Sequence, residues 1–492
     1  MVLARPRVES ATGWVAARVF LVCAAALGVA TAATLLDGRR AMGALGACAL
    51  ACLAVGLVLY RRWSAPGMLR PAATHAAVFV GWLLLIAIGT GTYLVTGTFG
   101  RFTDALFEST AGFTTSALSV LDPVEGTPKG ILLWRASTQW LGGFAAVMVV
   151  IAFLPLLGVG GIEADSTGSE RGARLRSPHL AATTRRLARA YVLLSLTGVA
   201  LFLVAGLGPF DAVTYAMTTI SSGGFGNHDA SIAYFESALV EWCTIGGMVL
   251  AGANLVMILS AFRGRLVRVW HSTEVRAYLG VMLLLSLTLI WWTAPRGGVT
   301  AESARHAVFA VTSAMSTTGH TVGGWARWDF GPLVLLMLVA GVGAMSGAPG
   351  GGFRVIRALT LLGVVRREIV RQLHPHSVAV VKVGRASIEE RVVSNMIGYQ
   401  VAWVLLAGAG AIALGVAGLG FTEAVTGAVS ALATYGPALG DLQAGTAAMS
   451  DTVLLVLLPL MLAGRLEISP VVVGATTVLR GGIGSRRGRR RP

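Results

Sequence analysis

Four segments of this chain repeat one pattern, at residues 102–117, 209–224, 304–319 and 421–436. Each is a short, semi-apolar stretch that ends on small hydroxyl-bearing residues and a glycine or alanine. The endings are Thr114-Thr115-Ser116-Ala117, Ser221-Ser222-Gly223-Gly224, Ser316-Thr317-Thr318-Gly319 and Thr434-Tyr435-Gly436. Three repeats carry an acid (Asp104, Asp211 or Glu423) 13 residues before the final small residue, and the remaining one has His306 there. The end points are separated by 107, 95 and 117 residues. A period of about one hundred residues restricts the chain to folds built from four copies of one unit.

What surrounds the repeats is suited to lipid. Only 13% of the 492 residues are charged, against about 25% in a soluble domain, and mean hydropathy is +0.73. Apolar stretches of spanning length occur near 14–36, 41–60, 74–98, 131–157, 187–206, 238–262, 276–294, 331–347, 392–416 and 452–478. The first reads as a span rather than a cleaved leader, because it is long, lacks a small-residue cleavage site and is followed by another. With the N-terminus inside, the segments 1–18, 61–70, 171–189, 263–276, 354–391 and 480–492 hold 30 of the 39 Lys and Arg residues. Both termini are therefore expected in the cytoplasm. The net charge of +16 invites a nucleic-acid reading, but its placement excludes one. The tail Arg486-Arg487-Gly488-Arg489-Arg490-Arg491 reads as an anchor to anionic membrane lipid. Cys23, Cys48, Cys52 and Cys243 all fall in expected spans, with no disulfide framework and no zinc spacing.

This topology puts all four repeats on the outer face, each between a span that exits and one that returns. The expected fold is an all-α integral membrane protein of four span–loop–span repeats in pseudo-fourfold arrangement, with two extra N-terminal helices. The expected units are 1–72 for that helix pair, then repeats at 73–160, 161–265, 266–375 and 376–480, and a basic tail at 481–492. All repeats share one orientation, so they can surround an axis along the membrane normal, unlike inverted repeats.

A loop of this kind has a specific chemical use. A cation gives up its water only where oxygens replace it, and backbone carbonyls do so without fixed charge if small residues let the backbone turn. Thr114, Thr115, Ser116 and Ala117 would form one quarter of such a ring, and Ser221, Ser222, Gly223 and Gly224 a second. Thr317, Thr318 and Gly319 with Thr434, Tyr435 and Gly436 would complete it. The 10–12 residues before each ending are helix-compatible, with the acid or His306 near the helix start, where the dipole favours an anion. Close helix packing alone explains one Gly/Ser/Thr cluster. Four clusters at matched offsets favour the ring.

Several further motifs resemble the superfamily of bacterial Trk and Ktr and plant HKT cation transporters, and most of all its TrkH-type subunit. Trp134-Arg135 through Gln139-Trp140 to Gly142-Gly143 resembles the motif that opens the second helix of repeat one. Gly223-Gly224-Phe225 with His228-Asp229 resembles the second filter and its outer turn, Gly436-Pro437 the fourth filter, and Gly464-Arg465-Leu466-Glu467 the last helix. The extra N-terminal helix pair points the same way. The resemblance implies a homodimer in the bacterial cytoplasmic membrane that takes up K⁺, controlled by a separate cytosolic nucleotide-binding subunit of TrkA type. It implies no cofactor in this chain, only K⁺ (with Na⁺ as the alternative) bound and carried.

Three departures from the family pattern bear on that expectation. Ala117 stands where the first filter has glycine, which puts the preference for K⁺ over Na⁺ in question. The gating loop is Gly347-Ala348-Pro349-Gly350-Gly351-Gly352-Phe353-Arg354, with the glycines and a basic end but without the hydroxyls. At the fourth filter Thr434 replaces the usual asparagine and Ala438 a glycine. Glycine and proline oppose helix by about 1 and about 3 kcal/mol, so a break in the eighth span is expected at 347–352, under the filter. By resemblance Arg465 would point into the pore as an electrostatic barrier, with pairing to Glu467 as the plain alternative.

The remaining charges suit ordinary roles. Glu241 and Arg135 read as braces near the outer ends of their helices. His228, His306 and His320 read as outer loop and cap residues rather than metal ligands. Asp104, Asp122, Glu125, Asp211, Asp229 and Asp329 would make the outer mouth acidic or form a solvated rim. The residues exclude the familiar hydrolase and nucleotide-binding motifs. Ala438-Leu439-Gly440-Asp441 faintly resembles an intramembrane aspartyl protease motif, but the second acid such chemistry needs is missing from the spans. The chain is therefore expected not to be an enzyme. A carrier coupled to Na⁺ or H⁺ is the nearer alternative.

Overall fold

The computed structural model describes residues 8–64, 71–153, 177–294, 298–323, 328–377, 379–384, 386–439, 442 and 446–488. The basic stretch 171–176, the pair Gly440-Asp441, the repeat boundary at 160–161 and Arg489–Arg491 lie outside these residues. The described chain is all-α apart from one two-residue antiparallel pairing, Lys382–Val383 with Ala386–Ser387.

Two antiparallel helices, Val8–Ala33 and Met42–Arg62, come first and pack on the first helix of repeat one, Pro71–Val95. Four times thereafter a short helix lies between two longer elements. These four, called pore helices here, are Phe102–Thr114, Pro209–Ile220, Ala301–Ser316 and Phe421–Ala433. Asp104, Asp211 and Glu423 each sit in the first turn, where exposed backbone N–H groups favour negative charge. The third helix starts earlier than its offset from His306 suggests. Thr300 and Ser303 form a capping box and Glu302 supplies the first-turn acid, so His306 lies a turn further in.

The packing closes on itself. Beyond its own repeat, the second pore helix touches Lys129–Phe153 of repeat one, the third touches Ala238–Ala251 of repeat two, and the fourth touches Phe330–Val342 of repeat three. The first pore helix touches Asp451–Leu466 of repeat four, which completes the ring. Each pore helix is thus held by the preceding repeat, cyclically. No repeat can bury its pore helix alone.

Three of the ten expected spans are not straight helices. The stretch 238–262 turns by 110° between Ala238–Ala251 and Leu255–Phe262. Asn254 starts the second piece by accepting from the backbone N–H groups of Val256 and Met257 at 2.8 and 3.3 Å. Gly252 allows the close approach before it, because a β-carbon there would lie 3.1 Å from the Ser316 Cα and collide with the Tyr278 hydroxyl. The last span turns by 105° after Leu466. The eighth ends at Val342, after 13 residues, and helix resumes only at Val355. Thirteen residues reach about 20 Å, short of a bilayer core of about 30 Å.

Candidate functional site

The four pore helices end identically. Thr115, Ser222, Thr317 and Thr434 are left-handed, with φ of 53°, 54°, 55° and 53°. The next N–H in each case reaches back five residues, from Ser116 to Ala111, Gly223 to Thr218, Thr318 to Ser313 and Tyr435 to Ser430, at 2.8–2.9 Å. This is the Schellman ending, and it satisfies carbonyls that would otherwise be buried unpaired. It sets one reversal of the chain at the same place four times, two residues before Ala117, Gly224, Gly319 and Gly436.

Those last four residues all line one cavity of about 260 Å³, together with Leu118, Asp122, Phe225, Asp229, Thr321 and Pro437. Gly224, Gly319 and Gly436 take φ of 78°, 81° and 103°, a region that a β-carbon disfavours. Ala117 does not share their positive φ. Its methyl points inward instead. A β-carbon built on Gly224 or Gly436 would lie 2.8 or 2.5 Å from the Ala117 Cβ, and one on Gly319 would also collide with it. The first quarter therefore fills the space that the other three leave open.

Polar side chains behind the ring hold it. Gln139 donates to the carbonyls of Gly223 (2.8 Å) and Ser116 (3.4 Å) and accepts from the Phe225 N–H (3.1 Å), so one amide ties the first two endings together. Arg135 pairs with Glu108 at 2.7 Å, both fully buried, and also donates to Ser119 Oγ and the Gly226 carbonyl. In repeats three and four hydroxyls act as braces. Ser313 Oγ donates to the His320 carbonyl (2.8 Å) and Ser430 Oγ accepts from the Gly436 N–H (3.0 Å).

Directly inside the ring lies the non-helical chain Gly343–Arg354, wider than the expected 347–352. Gly347, Gly352 and Arg354 have positive φ, while Gly350 and Gly351 press against the ends of the third and fourth pore helices. The Gly351 N–H donates to Thr317 Oγ1 at 2.6 Å, and the Gly352 N–H to the Ala433 carbonyl at 3.1 Å. Irregular backbone at membrane depth must be satisfied by protein. Arg354 does this from within, donating to the carbonyls of Gly350, Ala348 and Met345. Arg465 does it from the opposite wall, donating to the carbonyls of Pro349 and Gly142. The bend at Asn254 dovetails with the loop, its amide donating to the Ser346 carbonyl at 2.6 Å.

Not every side chain singled out in the sequence sits where expected. Arg465 does not pair with Glu467, which takes Arg357 at 2.8 Å; Arg465 binds the loop instead. Glu241 pairs with Arg305 at 2.6 Å and lies 3.6 Å from His306. His320 is not on the outer face but buried behind the ring, with its Nε2 2.9 Å from Thr219 Oγ1. Of the outer acids, Asp122 and Asp229 line the cavity. Asp104 pairs with Arg101, Asp211 receives Asn227, Glu125 accepts from the Asp229 N–H, and Asp329 precedes the Phe330 helix. Partial burial and the adjacent Glu125 push the Asp229 carboxyl above its ordinary range, while the contact with Asp229 lowers Glu125. No cluster of metal-ligating side chains occurs among the described residues. Glu108 and Gln139 are braces that sequence reasoning gave no role; each is a buried polar residue in an apolar context, which was the available signal.

Comparison with known proteins places this geometry in context. The family described as "TrkH: Cation transport protein" matches residues 46–482. The Trk system potassium uptake protein TrkH of Salmonella typhimurium is 32% identical over 431 residues, covering 86% of this chain and 89% of that one. Its namesake in Halomonas elongata is 33% identical over 406 residues, covering 81% and 83%. The crystal structure of the potassium transporter TrkH from Vibrio parahaemolyticus superposes with a TM-score of 0.86 at 27% identity, over 94% of this chain and 98% of that one.

Proposed function

The chain belongs to the TrkH family of cation transport proteins, and from that premise we propose that it takes up K⁺ across the bacterial cytoplasmic membrane. The observation that carries this reading is the fourfold repetition of one left-handed helix ending, each two residues before a residue that lines one shared cavity. Four such endings aim backbone carbonyls, and the negative ends of four helices, at one axis. Residues 114–117, 221–224, 317–319 and 434–436 are the selectivity filter, and repeats at 73–160, 161–265, 266–375 and 376–480 each give one quarter.

The Gly343–Arg354 loop is the gate. Gly347, Gly350, Gly351 and Gly352 let it lie flat beneath the filter, Arg354 shapes it, and Arg465 fastens it through Pro349. Both termini are cytoplasmic, and the protein works as a homodimer whose gate is released by a cytosolic nucleotide-binding subunit. The methyl of Ala117 favours a second reading, Na⁺ permeation beside K⁺, because a ring with one non-glycine quarter holds its oxygens differently.

Reconstitution in liposomes with K⁺ and Na⁺ gradients side by side tests both. K⁺ flux is expected, and Arg465→Ala is expected to raise it. A hydrogen bond from a charged donor contributes about 1.5–3 kcal/mol, so the loop's equilibrium should shift about tenfold or more. Folded wild-type protein that passes neither ion would refute the reading, and unchanged flux in folded Arg465→Ala would refute the fastening.

A further inference from the structure

Four carbonyls stand at equivalent places one residue before the ring, those of Ser116, Gly223, Thr318 and Tyr435, and they are not held alike. A β-carbon built on Gly224 would collide with the Thr318 carbonyl oxygen, and one on Gly319 with the Tyr435 carbonyl oxygen. Both oxygens thus reach the space that the Ala117 methyl enters. The Ser116 and Gly223 carbonyls both accept from the Gln139 amide, at 3.4 and 2.8 Å. Gln139 is fully buried, and its Oε1 accepts from the Phe225 N–H at 3.1 Å. Turning the amide over would set its oxygen against two carbonyls and its N–H against another N–H, so its direction is fixed. Gly223 differs from Gly224, Gly319 and Gly436 in that its φ lies outside the left-handed region, so the backbone there does not require glycine. The side chain opposite does. A β-carbon on Gly223 would lie 2.8 Å from the Gln139 Cβ and collide with its amide, which three hydrogen bonds keep from moving aside. The helix that carries Gln139 is seated on the same two endings, since β-carbons on Gly142 and Gly143 would meet the Phe113 backbone and Ser221.

Resting on the proposed filter, we propose that Gln139 is a specificity-determining positioning residue: its amide holds the Ser116 and Gly223 carbonyls at a fixed spacing, and residue 223 is glycine to admit that amide. Gln139 touches no ion and acts through the two carbonyls. K⁺ and Na⁺ carry the same charge, so a ring separates them by the spacing and number of its oxygens. Oxygens that can follow a smaller ion inward do not discriminate against it. A side chain of fixed length bonded to two chains from different repeats resists that contraction, and a buried network with every donor and acceptor used is stiffer than its bonds taken singly. The spacer stands beside Ala117, the one quarter that lacks glycine, and so steadies the ring where its geometry departs most from the other three. Without the amide the first two endings move independently, and Na⁺ is admitted more readily.

The K⁺/Na⁺ flux ratio of the full-length protein in liposomes tests this, because a ratio does not depend on how much of the protein is active. Gln139→Met keeps the length of the side chain and removes its hydrogen bonds. The expected result is a severalfold lower ratio, through higher Na⁺ flux, whereas a brace that only stabilised the fold would lower both fluxes together. Gly223→Ala drives the amide from its bonds while leaving Gln139 in the sequence, and should lower the ratio in the same way. Added to Gln139→Ala, Gly223→Ala should change the ratio little further, since its methyl then enters the space the side chain has left. An unchanged ratio in Gln139→Met, or an effect of Gly223→Ala that is undiminished beside Gln139→Ala, would overturn the inference. Should Gln139→Met not fold, the two Gly223→Ala proteins carry the same decision. Flux with an unaltered ratio in these variants defeats only this inference, whereas folded wild-type protein that passes neither ion defeats the filter itself.

Discussion

The first and third quarters of the ring begin from nearly the same sequence, Thr-Thr-Ser-Ala and Ser-Thr-Thr-Gly, and are held in opposite ways. The first has no glycine and turns its methyl inward, and behind it stand Glu108, Arg135 and Gln139, a buried ion pair and an amide that reaches two chains. The third has Gly319 at positive φ with the Ser313 hydroxyl and the buried His320 behind it, and the loop's Gly351 bonded to Thr317 beneath. One side of the ring is braced by its own repeat, and the other side touches the Gly343–Arg354 loop. A quarter fixed by a buried ion pair can tolerate a non-glycine residue at its end.

The most damaging way to break this contrast is at the buried pair. Glu108→Ala strands Arg135 without a counter-charge and should cost about 3–5 kcal/mol of stability, against about 1 kcal/mol for Ser313→Ala. Denaturant unfolding in detergent compares the two. Equal losses would mean the first quarter is not held differently. Next in size are the methyl swaps. Gly319→Ala sets a β-carbon against both the Tyr435 carbonyl and the Ala117 methyl, in a backbone conformation that costs roughly 1–2 kcal/mol for an L-residue. K⁺ flux should vanish in folded protein.

Ala117→Gly removes the intruding methyl and should raise the K⁺/Na⁺ flux ratio by less than about tenfold, under about 1.4 kcal/mol. A ratio that stays level or falls would show Ala117 to be neutral. The smallest effect lies in the cavity above. Asp229 holds its proton to a higher pH than an ordinary carboxyl, so acidification removes its charge early. K⁺ uptake at low external K⁺ should decline on acidification toward that raised range. Asp229→Asn should flatten the profile by less than about fivefold, since exposed charges contribute under about 1 kcal/mol.

Much of the architecture was legible in advance because it is periodic. Matched acids at 104, 211 and 423 and matched hydroxyl endings are properties of near neighbours in the chain, and a fourfold repeat of them leaves few folds. The straightness of the spans was not. Gly252 and Asn254 carry ordinary signals for ending and starting a helix, but an apolar run of membrane length hides them. The bend makes sense only once Met345 and Ser346 of the loop are found bonded there. His306 misled for a similar reason, since equal spacing from the ring suggested equal helix starts while the Thr300 capping box set the start elsewhere.

By itself the sequence determined the repeat, the membrane setting, and the points at which helices must yield to glycine. These follow from composition and from interactions within a few residues, which the chain carries wherever it folds. Only the tertiary structure decided which way the Ala117 methyl points, that Arg465 serves the loop while Arg357 takes Glu467, and that His320 is buried. Each of those outcomes pairs groups that lie many tens to hundreds of residues apart. Which acid, carbonyl or open space a side chain meets is set by how four separate repeats close around one axis, and no local pattern encodes that closure.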